Sequence, residues 1–162
     1  MRWYANPEKF MSVLHDQRGA GRSIPLGEIR ENATQNLVAD IEHLRKKLKV
    51  NRIILAGGSW GTTLALLYAE TYPQKVARLV LRGIFTATKE DGQILRDPHR
   101  IAHIPTVIIN GRYDLICPPK TAFQLHRALP KSRLIIVEGA GHMDSESAIE
   151  KALVEAIDSF QK

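Results

Sequence analysis

The sequence predicts an α/β protein, one parallel, doubly wound sheet of about five strands with helices on its faces. Two observations carry this expectation. Short runs that are apolar throughout mark strands buried on both faces, and these runs alternate with segments whose apolar residues recur at helical spacing. The chain of 162 residues is long enough for one real core, so a single domain spanning 1–162 is expected. No repeat or low-complexity segment interrupts it.

Taken in order, KFMSVLH (9–15) reads as a buried strand ending at the turn DQRGAGRS (16–23). In the next segment Leu37, Ile41, Leu44 and Leu48 form one helical face, with Thr34 or Asn32 as its N-cap. NRIILAG is the second strand, and TTLALLYAETY is a helix closed by Pro73. ARLVLRG, PTVIINGRYD and SRLIIVEGAGH supply three more strands, the last two separated by the helix KTAFQLHRALP. Ile149, Leu153, Ala156, Ile157 and Phe160 mark a closing amphipathic helix. The polar stretch 85–104 is irregular and reads as a loop with one short helix.

Composition excludes several classes. The formal charge of +6 is scattered along the chain and no nucleic-acid readout module accompanies it, so no nucleic-acid partner is expected. No apolar stretch reaches the roughly 18 residues of a membrane helix, and MRWYANPEKF lacks the apolar region of a signal peptide. Cys117 is the only cysteine, which excludes an intrachain disulfide and fits a reducing compartment. A cytoplasmic protein without a membrane partner is the expectation.

The chemistry gathers at the carboxyl ends of the strands, where ligands bind in such sheets. Gly57-Gly58-Ser59-Trp60-Gly61 follows a strand and opens a helix. A serine in so tight a turn projects its hydroxyl above the sheet, and glycines at 57, 58 and 61 leave room for it. Asp114 stands past the strand PTVIING and His142 in the loop after the last strand. The order Ser, Asp, His is that of α/β hydrolases. Ser59 would be the nucleophile, His142 its base, and Asp114 the group that orients the imidazole. A turn aspartate and a surface histidine are the competing roles for the latter two. Cys117 is a rival nucleophile without a surrounding signature. His99 and His103 are spaced as a metal pair but lack a third ligand, so no metal is expected. His15, beside Asp16, is expected to pack, with the site rim as the alternative within its reach, whereas His43 and His126 fall in helical patterns and are expected to be structural or exposed.

These residues carry a resemblance. FMSVLHDQRGAGRS, GGSWGTTLALLYAETYPQKVARLVLRGIF, DPHRIAHIPTVIINGRYDLICP and ALPKSRLIIVEGAGHMDSE resemble the proline iminopeptidase family of α/β hydrolases. The resemblance places the family's triad on Ser59, Asp114 and His142, and its first oxyanion N–H on Trp60. Acyl-serine chemistry calls for no metal or organic cofactor. The resemblance also implies chains about twice as long, with three earlier strands, a glycine loop giving the second oxyanion N–H, and a helical cap after LRGIF whose acidic residues hold the substrate's amino terminus. By that comparison this chain is a truncated, capless α/β-hydrolase fold.

Three expectations follow. Without the third strand, KFMSVLH must pair with RIILAG or leave a gap for a partner chain, which favours a homodimer or higher oligomer. Loss of one oxyanion donor costs about 2.7–4 kcal/mol where tested, and amides suffer most. The leading expectation is therefore a low-specificity carboxylesterase acting on small short-chain acyl esters through an acyl-serine. Residual proline iminopeptidase activity, or a non-catalytic remnant acting through self-association, are the alternatives. A backbone N–H of the turn 16–23 could replace the missing donor, with Arg18 or Arg22 adding charge.

Overall fold

The computed structural model describes residues 4–85 and 97–161. Within them the elements run α1 (Thr34–Lys47), β1 (Ile53–Ser59), α2 (Trp60–Thr71), β2 (Val76–Ile84), β3 (Thr106–Gly111), α3 (Pro119–Ala128), β4 (Ser132–Val137) and α4 (Ser147–Asp158). The four strands form one parallel sheet in the order β1-β2-β3-β4, so sheet order follows chain order.

The alternation of side chains across a strand sorts the core into two layers. Leu79, Leu81 and Ile108 face one side, where α1, α2 and α3 bring Leu37, Ile41, Leu66, Tyr68 and Leu125. Val80, Val107 and Ile109 face the other, where α4 brings Ile149, Leu153, Ala156 and Ile157, with Tyr4 beside them. One helix thus covers the second face, aided by the chain's first described residues. β2 and β3 are almost wholly buried, as their unbroken apolar runs require, whereas β1 is an edge strand and only half-buried.

α1 is anchored by more than its apolar stripe. Glu42 and Arg45, one turn apart, are both buried and form a two-pronged ion pair at 2.7 and 2.8 Å. The Tyr68 hydroxyl of α2 donates to the same carboxylate at 2.7 Å. Arg45, Lys46 and Lys47 crowd the last turn, where the helix dipole favours cations. The helix begins after Ala33, so neither Thr34 nor Asn32 caps it; the Asn36 side chain instead donates to the Glu31 carbonyl.

The expected strand at 9–15 does not form, and the sheet has four strands in place of about five. Residues 11–15 carry no regular structure and no ladder pairing, with Met11, Val13 and Leu14 exposed. An extended segment is held by its ladder partner, and no strand among the described residues lies beside β1 on its open side. Of the irregular stretch 85–104, residues 86–96 lie outside the described residues; the remainder carries a short 3-10 turn at Pro98–Ile101. No helix among the described residues is long and apolar enough to cross a membrane.

Candidate active site

Ser59 is the last residue of β1, and α2 starts at Trp60. Its φ of 53° and ψ of −123° place an L-residue in the left-handed half of backbone space, a strained conformation costing about 1–3 kcal/mol. Sterics around the turn explain two of its three glycines. A Cβ on Gly57 would overlap the Gly61 carbonyl, and one on Gly58 would strike the Arg82 guanidinium. Gly61 differs, because a Cβ there would meet nothing within 4 Å. Thr62, fully buried, pins the turn: its hydroxyl donates to the Ser59 carbonyl at 2.7 Å and accepts from the Phe85 amide at 3.0 Å.

Asp114 makes both kinds of contact that its two competing roles would require. One carboxylate oxygen accepts the Ile116 and Cys117 amides at 3.0 and 2.7 Å and so closes the turn after β3. The other lies 2.8 Å from His142 Nδ1. An ionised carboxylate only accepts, so Nδ1–H donates and Nε2 is left free to accept a proton. The loop bearing His142 is tied on several sides. Glu146 accepts the Gly141 and Met143 amides at 2.8 and 2.9 Å, and the Tyr113 amide donates to the Ala140 carbonyl at 2.9 Å. Beneath the pair runs Gly83, at φ +59°, whose missing Cβ would sit 3.2–3.3 Å from the imidazole and the Asp114 carboxylate.

Register brings Ser59 to this pair. In the β1–β2 ladder it stands opposite Ile84, next to Gly83. Cys117 lies close to these groups, near enough for the Ser59 side chain to act on its thiol. The Cys117, Asp114 and His142 donor atoms lie within 4.8 Å of one another. Burial and the Asp114 charge push the Cys117 thiol up, against the smaller opposing effects of Ser59 and Arg82. That weakens Cys117 as the rival nucleophile, because the thiolate is the reactive form. The same trio is the one grouping of three metal-ligating side chains among the described residues, and a protonated thiol is a poor ligand.

The other polar candidates fall elsewhere. His99 and His103 are exposed, on the short 3-10 turn and the loop after it, and do not share an α-helical face. His15 and His43 are exposed, and His126 Nδ1 pairs with the Ser132 hydroxyl at 2.7 Å. Arg18 is held by the Asp40 carboxylate of α1 at 2.6 and 2.8 Å, and Arg22 by Asp16 at 3.0 Å. Both guanidinium groups are thereby committed to carboxylates. Trp60 occupies the first position of α2, where an amide has no carbonyl to bond within its own helix. Four residues at the site escaped the reading of the sequence: Arg82, Gly83, Asn110 and Glu146. Asn110, fully buried, accepts the Ile84 amide at 3.3 Å and donates to the Cys117 carbonyl at 3.0 Å. The only signal for Arg82 and Gly83 was a charged residue and a glycine near the end of a strand whose middle is apolar.

Known proteins with this arrangement are readily found. The sequence profile of the alpha/beta hydrolase fold matches residues 4–101, and that of TAP-like protein matches residues 82–161. A probable proline iminopeptidase of Leptolyngbya boryana is 33% identical over 260 aligned positions, covering 98% of this chain and 81% of that protein. The proline iminopeptidase of Xylella fastidiosa (strain Temecula1 / ATCC 700964) is 33% identical over 261 positions, covering 99% and 83%. With 162 residues in this chain, about 100 of those aligned positions have no counterpart in it. Among solved structures, a variant of a meta-cleavage product hydrolase superposes with a TM-score of 0.75 at 16% identity, covering 90% of this chain and 78% of that one.

Proposed function

The chain belongs to the proline iminopeptidase family of α/β hydrolases, and from that premise we propose that it is a serine hydrolase releasing N-terminal proline from small peptides or amides. The observation that carries the proposal is the His142–Asp114 hydrogen bond beside a serine held at a left-handed turn. In the reaction, Ser59 Oγ attacks the carbonyl carbon as its proton passes to His142 Nε2. Asp114 keeps Nδ1–H in place and stabilises the imidazolium. Charge developing on the carbonyl oxygen is met by the Trp60 amide. His142 then returns the proton to the leaving amine, and water, activated by the same imidazole, releases the acyl group from Ser59.

This reading ranks proline release above the ester hydrolysis first expected, because the relatives that match almost the whole chain bear the name proline iminopeptidase. One observation keeps the ester reading as second. Roughly 100 relative positions have no counterpart in this chain, and the family resemblance implies a cap holding the peptide's amino terminus that this chain is expected to lack. Activated esters need less stabilisation of the leaving group than amides do. Proline arylamide and p-nitrophenyl acetate, each assayed with the native chain and with Ser59→Ala, separate the readings. Arylamide turnover lost on substitution supports proline release, and Ser59-dependent ester turnover alone supports the esterase. Equal rates in both proteins sink the nucleophile assignment.

A further inference from the structure

One buried charge near the site has no part in the chemistry above. Arg82 lies on β2, in register with Gly58 of the serine-bearing strand, and is only 7% exposed. Its Nη1–H donates to the His142 carbonyl at 2.5 Å, joining segments 60 residues apart in sequence. Its Nη2 packs so closely on Gly58 that a Cβ there would come within 2.5 Å of it. Its Nε is sealed from solvent without a hydrogen-bond partner, and no ion pair among the described residues includes it. The small cavity beside it is lined by Tyr4, Val80, Leu153 and Ile157, with Asp144 as its one acidic residue, which makes no direct ion pair with Arg82. A buried guanidinium without a directly bonded carboxylate is a costly way to fill such space.

We propose that Arg82 is a positioning residue for catalysis, a strut that sets the gap between Ser59 and His142. One end of its guanidinium bears on the residue before the serine, and the other grips the carbonyl of the histidine itself. The planar fork reaches both at once, which neither an apolar chain nor a single ammonium does. The Asp114 hydrogen bond fixes how the imidazole is turned; Arg82 fixes where its backbone stands. This inference rests on Ser59 being the nucleophile.

A fluorophosphonate probe, which phosphonylates an activated serine with loss of fluoride and needs no known substrate, tests both levels. The native chain and Ser59→Ala are labelled first, then Arg82→Met and Arg82→Lys, with folded fraction followed by thermal denaturation and p-nitrophenyl acetate giving kcat and KM. Misplacement of about 1 Å costs about 100-fold in rate, so Arg82→Met is expected to slow labelling and kcat by about 10- to 100-fold. KM should move by less than about threefold, and the folded fraction should be retained. Arg82→Lys, keeping one donor, should recover part of the rate. Arg82→Met labelled at the native rate, or slowed only in proportion to its unfolded fraction, overturns the proposal. If Arg82→Met does not fold, Arg82→Lys decides: a folded lysine variant with the full native rate overturns the need for a fork, and a slowed one supports it. Native protein that takes no label at Ser59 overturns the underlying reading, and this inference with it.

Discussion

Gly83 offers a direct way to disturb the His142–Asp114 pair without touching either residue. In Gly83→Ala the new methyl group would lie 3.2 Å from His142 Cε1 and 3.3 Å from both Nδ1 and the Asp114 carboxylate. Ordinary carbon contacts settle near 3.5–4.0 Å, so the pair must retreat by a few tenths of an ångström. If about 1 Å of misplacement costs about 100-fold, this retreat predicts a loss of roughly 3- to 10-fold in turnover. Stability falls separately. Alanine at φ +59° pays about 1–2 kcal/mol of left-handed strain, offset by about 0.4–1 kcal/mol from a less flexible unfolded chain. The net loss of about 1 kcal/mol lowers Tm by about 2–4 °C for a chain of this size. Ester turnover, fluorophosphonate labelling and thermal denaturation read the two effects independently. Gly61→Ala is the control: it meets nothing within 4 Å, sits inside α2, and should gain roughly 0.5–1 kcal/mol. Gly83→Ala with lowered Tm but full activity per folded molecule would refute the reasoning, because the pair would then have no part in the reaction.

Two further expectations concern the parts that hold the site and the core. The Glu146 carboxylate accepts the amides on both sides of His142, so Glu146→Ala should reduce kcat about 10-fold while leaving the fold intact by circular dichroism. Hydrogen bonding from Arg45, then from Tyr68, holds the Glu42 carboxyl down at about 2 against its burial, below the ordinary 4.5. Its folded pKa is depressed, so its stabilising contribution is complete above pH 4.5 and is lost as the pH falls towards about 2. Tm measured across that window should fall in the native chain and fall less in Glu42→Gln. At neutral pH the variant, leaving Arg45 buried without its counter-ion, should be less stable by about 3 kcal/mol.

Much of this architecture was legible because buried parallel strands leave a simple trace. Runs such as LVLRGI and TVIING need no alternation when both faces are covered, and each became a strand at the expected place. The same signal failed at KFMSVLH. An apolar run records what a segment prefers to bury, whereas a strand also requires a neighbour to receive its amides, and composition carries no information about the neighbour. The placing of Ser59, Asp114 and His142 after strand ends, with the last two hydrogen-bonded, was legible through side-chain type and order. Arg82 and Gly83 were not, because their roles lie in distances to other segments: a carbonyl 60 residues away in one case and an imidazole overhead in the other. Gly61 shows the converse, since a glycine that looked obligatory in the turn has open space where its side chain would be.

Because sheet order follows chain order, this sheet can be assembled in the sequence in which it is synthesised. Each strand after β1 pairs with the strand made just before it, and among the described residues none must wait for a distant partner. β1 and β2, with Thr62 and Phe85, are able to clamp the serine into its strained turn before β3 has emerged. The aspartate comes next, and the histidine arrives only after β4 has docked. With Ser59 as the nucleophile proposed above, a chain folding in that order would carry a bent but inert serine until its last strand was in place, and hydrolytic competence would come at the end of folding.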